Sequence, residues 1–383
     1  MPKKEFYSTQ ESSSILALGI HAPYNRTKHI ESYFEEFQNL IKSNGIKPTA
    51  THYLKLRDID PRYFVTQGKL DELQEICDKN NIEEIVISEP LTPQQERNLS
   101  ELLHCKVFDR THLILEIFEK NAHSAEGKAQ VAIAMLKHQK TRLAGKGVHL
   151  AQQAGKIGNK GPGETQKEKQ ARLIETTMHR MRKQLEQLQK VRATQRKSRL
   201  DSRIPHLCLI GYTNAGKSTI MNALTKSNVL AEDRLFATLD TTTRALFING
   251  TKIGVLSDTV GFIQNLPHHL IEAFKSTLSE LQFADLLIQV IDISDPNWES
   301  HIKIVQSILQ DLEVNKEMIY VFNKIDKVEH PDDAAIKAEP YQPHVIVNAQ
   351  TQEGVTPLIN FIAGWYKEHY AAPPLTPAKI TQE

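Results

Sequence analysis

The sequence predicts an α/β protein: an N-terminal α/β domain with a long helical hairpin, followed by a doubly wound, mostly parallel sheet. Three observations predict it. Short apolar runs alternate with segments of helical period in the first and the last third of the chain. Between those thirds lie two long stretches that keep a helical period with no strand between them. A glycine-rich octapeptide, Gly211–Ser218, stands where an apolar run gives way to a helix-length segment.

In chain order, Ile15–Gly19 is a buried strand, and Ile30, Phe34, Phe37 and Ile41 recur at helical spacing after it. Thr49–Leu56 is extended, Leu70–Cys77 an amphipathic helix, Glu84–Ser88 a strand, Leu91–Leu103 a helix and Lys106–Asp109 extended. Ala125–Leu143 and Thr165 to Val191 are the two long helices. In the second, Ile174, Met178, Met181, Leu185 and Leu188 alternate steps of four and three, the seam of a helix that pairs with a neighbour. The span between them, Lys146–Gly163, holds Gly147, Gly155, Gly158, Gly161 and Gly163 and cannot be regular helix. Arg192–Arg203 is charged without apolar period and is expected to be a linker. Strands are expected at His206–Ile210, Ile253–Leu256, Leu286–Ile293, Met318–Phe322 and His344–Val347, and a last helix from Thr356 to Tyr366. At 383 residues the chain exceeds the usual single core, and domains are placed at 1–120, 121–200 and 201–370, with a tail at 371–383.

Composition narrows the class. With 40% hydrophobic and 24% charged residues the chain sits among ordinary soluble proteins. No apolar run approaches the roughly 18–20 residues of a membrane span, and the polar start has no signal-peptide core. A cytoplasmic monomer without integral membrane association and without DNA as partner is expected. Cys77, Cys105 and Cys208 are far apart and form no Cys-x-x-Cys pair, which gives neither a disulfide framework nor a zinc site and suits reduced, buried thiols. The net charge of +1 hides an asymmetry: Lys137 to Arg203 carries 18 Lys and Arg against 5 Asp and Glu, and the remainder is acidic. So uneven a split points to one surface built for a polyanion, in contrast to the solvated faces that most charge runs form.

The octapeptide Gly211-Tyr212-Thr213-Asn214-Ala215-Gly216-Lys217-Ser218 fits G-x-x-x-x-G-K-[ST] in the required strand-to-helix context. Backbone N–H groups there can wrap phosphates, Lys217 can reach the β- and γ-phosphates, Ser218 can ligate Mg²⁺, and Thr219 continues the loop into the helix. Asp258-Thr259-Val260-Gly261 follows the Ile253–Leu256 strand, so that Asp258 serves the metal and the Gly261 N–H meets the γ-phosphate. Asn323-Lys324-Ile325-Asp326 closes another strand. An Asp carboxylate there accepts from guanine N1–H and its exocyclic amine, which adenine does not present. This makes GTP and GDP, rather than ATP, the expected nucleotides of a P-loop GTPase. Phe236-Ala237-Thr238-Leu239-Asp240 and Thr241–Arg244 fill the interval before Asp258. A threonine there completes the Mg²⁺ shell and senses the γ-phosphate; Thr238 is favoured, and Thr241, Thr242 and Thr243 are the alternatives. Catalysis thus falls to Lys217, Thr238 and Gly261, and the metal to Ser218, Thr238 and Asp258. Phe262 stands where many such enzymes carry a water-orienting glutamine, which predicts slow intrinsic hydrolysis that a partner accelerates.

The chain resembles the HflX family of ribosome-associated GTPases, among the TrmE-Era-Obg-like translation-factor GTPases. The resemblance rests on Phe236–Arg244, Asp258–Phe262, Tyr63-Phe-Val-Thr-Gln-Gly68-Lys69 and above all Gly161-Pro-Gly-Glu-Thr-Gln166; Val107-Phe-Asp-Arg-Thr111 and Glu126-Gly-Lys128 extend it to roughly residues 15–365. It implies an N-terminal domain with a helical hairpin before a Ras-like GTPase domain. It also implies the large ribosomal subunit as partner, docked on its RNA through the basic hairpin, in ribosome splitting or rescue under stress or in ribosome biogenesis. Two departures stand out. Asn348-Ala349-Gln-Thr-Gln352-Glu-Gly354 replaces the more usual Ser-Ala-x-Thr-Gly-Glu-Gly, with the Ala349 N–H still expected at guanine O6; and the chain ends soon after its last helix, where many relatives continue. The competing readings are a GTP-switched ribosome-binding scaffold with little turnover, which Phe262 keeps open, and an Era- or Obg-type assembly GTPase, of which Era is disfavoured because no KH-type Gly-x-x-Gly domain follows the GTPase core.

Overall fold

The computed structural model describes residues 14–145, 166–201, 204–225, 235–236, 239, 241–264 and 278–370, and its fold is the expected α/β one. Residues 146–165, Ala237, Thr238, Asp240 and the tail 371–383 lie outside the described residues, and with them nearly all of the Gly-Pro-Gly-Glu-Thr-Gln segment.

Four strands, β1 (Ile15–His21), β2 (Ala50–Lys55), β3 (Glu84–Ile87) and β4 (Lys106–Phe108), form an all-parallel sheet in the order β2-β1-β3-β4. The period of two sorts β1 between two faces. Leu16, Leu18 and Ile20 pack with Leu70, Leu73 and Cys77 of α2 (Gln67–Asn80) and with Leu99 and Leu103 of α3 (Pro93–Leu103). Ile15 and Ala17 pack on the other side, with Phe37, Leu40 and Ile41 of α1 (Ile30–Ser43) and Leu113, Ile117 and Phe118 of α4 (Arg110–Asn121). The start of α3 shifts from Leu91 to Pro93 because Thr92 and Gln95 form a capping box with proline at the first helical position.

Helix α4 was not among the predicted elements. Its signal is present: Asp109 accepts the His112 N–H at 2.9 Å as N-cap, ahead of apolar residues at 113, 114, 117 and 118. α5 (Ala125–Gly145) and α6 (Gln166–Asp201) form the hairpin. Met178 of the predicted seam is buried, and Ile174, Met181, Leu185 and Leu188 are half-buried. The expected linker at Arg192–Arg203 is corrected, since α6 runs on to Asp201. Arg, Lys, Gln and Ala all favour helix on their own propensity, so a segment without an apolar face can extend a helix already nucleated.

The second sheet has the order β10-β9-β8-β5-β7-β6. Its strands are β5 (His206–Gly211), β6 (Thr242–Ile248), β7 (Thr251–Asp258), β8 (Leu286–Asp292), β9 (Met318–Asn323) and β10 (His344–Ile346), with α7 (Lys217–Thr225), α8 (Trp298–Asp311), α9 (Pro331–Ala338) and α10 (Thr356–Tyr370) between or after them. All neighbours are parallel except β6, which runs antiparallel to β7. β6, which takes up Thr242–Arg244 of the interval before Asp258, was not among the predicted strands. The β-branched threonines favour a strand, and Asn249-Gly250, both at positive φ (50° and 78°), close a two-residue hairpin into β7. Among the described residues no helix is long and apolar enough to cross a membrane.

One hydrophobic cluster is common to both halves. Phe37, Leu113, Ile117 and Phe118 of the N-terminal sheet's helices share it with Leu235, Phe236, Leu239, Val260, Phe262 and Ile263. The segments flanking the expected γ-phosphate position are therefore packed against the N-terminal domain.

Candidate nucleotide site

Gly211 ends β5 with φ +147°, where a Cβ would lie 2.2 Å from the Val290 carbonyl oxygen, so the strand can turn here only without a side chain. Gly216, at φ +98°, is fixed in the same way by Asn323 Nδ2, 2.2 Å from where its Cβ would be. α7 starts directly after it, and its first residue, Lys217, is 7% exposed. The Lys217 Nζ donates to the carbonyls of Gly211 (3.2 Å) and Tyr212 (2.8 Å). Burial lowers its pKa to about 8 against the opposing pull of Asp258. An ammonium so desolvated at the head of a glycine loop is suited to an anion.

The Ser218 hydroxyl donates to Asp258 Oδ2 at 2.7 Å, and Asp258 is fully buried. Two hard oxygens converging beneath the loop fit Mg²⁺, which takes carboxylate and hydroxyl ligands rather than nitrogen or sulfur. Thr259 turns its hydroxyl to the Leu209 carbonyl (2.7 Å) and Val260 enters the shared core, so the side chains of this stretch serve the fold. Gly261 approaches so closely that a Cβ would lie 2.9 Å from Thr213 Cα and 3.0 Å from Lys217 Nζ. Phe262 is 2% exposed. Its N–H donates to the Gly211 carbonyl (3.1 Å) and its carbonyl accepts from the Thr213 N–H (2.7 Å), which stitches the segment after Asp258 to the glycine loop.

The opposite end is a 250 Å³ cavity lined by Asn214, Gly216, Thr219, Asn323, Lys324, Asp326, Asn348 and Ala349, among others. Asn323 braces it: Nδ2 donates to the Ala215 carbonyl (2.9 Å) and Oδ1 accepts the Ala349 N–H (3.1 Å). The Ala349 donor expected at guanine O6 is thus already engaged by Asn323. Lys324, at φ +65°, pairs with Asp292 at 2.6 Å; Ile325 packs into the core beside Phe322; Asp326 is exposed at the cavity. Asn348 Oδ1 accepts the Gln350 N–H at 2.9 Å, the turn-closing bond a serine hydroxyl could also make, so this departure leaves the loop intact.

The structure gathers Gly211–Thr219, Asp258–Gly261, Asn323–Asp326, Asn348 and Ala349 at the carboxyl ends of β5, β7, β9 and β10, the position where open α/β sheets bind ligands. Phe236 and Leu239 are buried in the shared core, while Ala237, Thr238 and Asp240 lie outside the described residues. Of the alternatives to Thr238, Thr243 directs its hydroxyl to Ser257 at 2.8 Å, within the sheet. The Tyr212 side chain turns away from the loop. Its hydroxyl meets Glu36 and accepts the Gln264 N–H (2.8 Å), and its ring stacks on His301 at 3.7 Å between centroids. Glu36 and Ser43 of α1 and Arg110 and Asn121 of α4 were not foreseen at this site. No local pattern could have found them, because they meet their partners across separations of 115 to 192 residues.

Family models described as "GTP-binding GTPase N-terminal", "GTP-binding GTPase Middle Region" and "50S ribosome-binding GTPase" match residues 31–119, 121–199 and 206–324. The chain is 44% identical over 330 residues to GTPase HflX of Magnetococcus marinus, covering 85% of this chain and 76% of the relative. It is 39% identical over 344 residues to GTPase HflX of Escherichia coli strain K12, covering 89% and 80%. Among solved structures it is similar to SsGBP in its GDP complex, with a TM-score of 0.51 and 25% identity over 93% of this chain and 99% of that one.

Proposed function

The chain belongs to the HflX family of GTPases, and on that footing we propose that it hydrolyses GTP at the β5–α7 loop and uses the nucleotide state to control association with the large ribosomal subunit. The observation that carries the nucleotide site is the buried Lys217 ammonium, drawn in beneath the Gly211–Ser218 backbone beside the Ser218–Asp258 pair. Lys217 pairs with the phosphates, and the N–H groups from Asn214 to Thr219 surround them. Ser218 and Asp258 hold Mg²⁺, with Thr238 as the proposed third protein oxygen. The ion, when bound, offsets the charge that develops on the transferring phosphoryl group. Asp326 reads guanine. Asn323 acts by holding the glycine loop and the Ala349 turn at one spacing, and a contact from Ala349 to the base shares its N–H with Asn323 Oδ1.

Phe262 has no group that could orient water, and it is buried in the shared core. Turnover by the isolated chain is accordingly slow. The family description of residues 206–324 and the excess of 18 basic over 5 acidic residues across Lys137–Arg203 support ribosomal RNA as the partner. The test is GTP turnover by the full chain with and without purified large subunits. Stimulation is expected; turnover unchanged by saturating subunits would remove the ribosome from the proposal.

A further inference from the structure

Both segments that flank the γ-phosphate position are held by groups of the N-terminal domain, one of them acting together with Tyr212 of the glycine loop. Before Thr238, the Leu235 N–H donates to Ser43 Oγ (3.2 Å), the Phe236 carbonyl accepts from Asn121 Nδ2 (2.7 Å), and the Phe236 ring meets Phe118 edge-on at 4.7 Å between centroids. After Gly261, both backbone polar groups of Gln264 are taken up. Its N–H donates to the Tyr212 hydroxyl at 2.8 Å, and its carbonyl accepts from Arg110 Nη2 at 3.3 Å.

Arg110 and Tyr212 are joined by a single carboxylate. Glu36 of α1 accepts from Arg110 Nη2 on one oxygen and from the Tyr212 hydroxyl on the other. Arg110 is 1% exposed, lies over the Tyr33 ring at 5.3 Å, and its Nε and Nη1 have no hydrogen-bond partner among the described residues. A guanidinium buried so deeply with one carboxylate is an expensive way to add stability, and an apolar pair of like volume would serve packing as well. What this arrangement supplies instead is direction: a fixed donor for the Gln264 carbonyl and a fixed acceptor for its N–H.

We propose that Glu36, Arg110 and the Tyr212 hydroxyl are positioning residues for GTP hydrolysis, which hold the segment after Gly261 in register with the glycine loop from the N-terminal domain. The inference rests on the nucleotide-site reading above. The physical reason is that Gly261 can present its N–H to a phosphate only if the chain on both sides is fixed. Asp258 fixes the side before it, and the Phe262–Gly211 bond together with the Glu36 group fixes the side after it. Small displacements at such a donor cost rate out of proportion to their size. GDP, which has no γ-phosphate, does not use this register. The arrangement also gives a partner that moves the N-terminal domain a direct hold on the hydrolytic geometry.

The test compares two conservative variants of the full chain. Tyr212→Phe keeps the ring that stacks on His301 and removes the hydroxyl that reads Gln264. Ser32→Ala removes a different hydrogen bond across the same interface, to Asp295 at 3.1 Å, which touches neither flanking segment. Tyr212→Phe loses its bond to Glu36 and the one from the Gln264 N–H, and Ser32→Ala only its contact with Asp295. Thermal unfolding should therefore move further in Tyr212→Phe, and kcat is compared at a temperature where both variants are fully folded. In Tyr212→Phe, kcat for GTP is expected to fall about tenfold with KM and GDP affinity unchanged, while Ser32→Ala keeps the wild-type kcat. Glu36→Gln, which retains an acceptor for Tyr212 but drops the charge that holds Arg110, should shift kcat in the same direction. A kcat in Tyr212→Phe equal to or above wild type, or an equal loss in Ser32→Ala, overturns the proposal. Lys217→Ala separates the two layers: if it hydrolyses GTP normally, the nucleotide site itself is misplaced, whereas a dead Lys217→Ala beside a normal Tyr212→Phe removes the positioning role alone.

Discussion

The two ends of the nucleotide site are built on different plans. The base cavity is made entirely from the C-terminal half. Asn323 ties the Ala215 and Ala349 backbones together, and every residue that lines the cavity lies between Asn214 and Gln350. The phosphate end is shared. Leu235, Phe236, Phe262 and Gln264 are held by Ser43, Phe118, Asn121, Arg110 and Glu36 of the N-terminal domain. On the proposed assignment recognition of the nucleotide is self-contained, while the geometry that would change with a γ-phosphate belongs to both halves. Coupling free energy needs an element that two sites bias in common, and here that element is the joint packed between them.

The largest expected effect breaks the joint. Phe118 is 1% exposed and packs at once in the N-terminal core and on Phe236. Phe118→Ala should cost about 3–5 kcal/mol of stability, measured by chemical unfolding. The preference for GDP over ADP, read by competition binding, should stay at the wild-type ratio, because the base cavity does not touch the joint. A lost preference would mean that the two ends are not independent.

Lys217→Ala acts on the phosphate end alone. Removing charge-assisted hydrogen bonds of roughly 1.5–3 kcal/mol each should lower GTP affinity about tenfold to a hundredfold, measured with a fluorescent nucleotide, with the fold intact by circular dichroism. At the base end, Asp326→Asn should cost roughly 1–3 kcal/mol in GTP binding and improve binding of xanthosine triphosphate, whose carbonyl replaces the exocyclic amine. Unaltered selectivity in competition would disqualify Asp326 as the base reader.

The smallest effect on the isolated protein is expected at the hairpin. Neutralising Lys146, Lys156 and Lys160, which lie outside the described residues, should leave GTP binding as in wild type while weakening co-sedimentation with large subunits and flattening its salt dependence. An unchanged salt slope would assign the basic surplus to a solvated face.

The sequence by itself determined the class of each half and named most of the residues of the candidate site. Gly211–Ser218, Asp258–Gly261 and Asn323–Asp326 each follow a strand whose apolar run is unmistakable, and such motifs are legible because a phosphate or a base is held by a few residues close in sequence. Local chemistry would also have shown α4 from its Asp109 cap and β6 from the Asn249-Gly250 turn. The extension of α6 to Asp201 was hidden because helix propensity without an apolar face looks like a linker. Tertiary structure alone decided which face of the GTPase half the N-terminal domain covers, that Phe262 packs into a joint core, and that Glu36 meets Tyr212 across 176 residues of chain. Those contacts form between side chains whose neighbours in sequence carry no trace of them. A buried contact between two halves is specified by the shape of two surfaces, and the order of residues along either one does not encode the other.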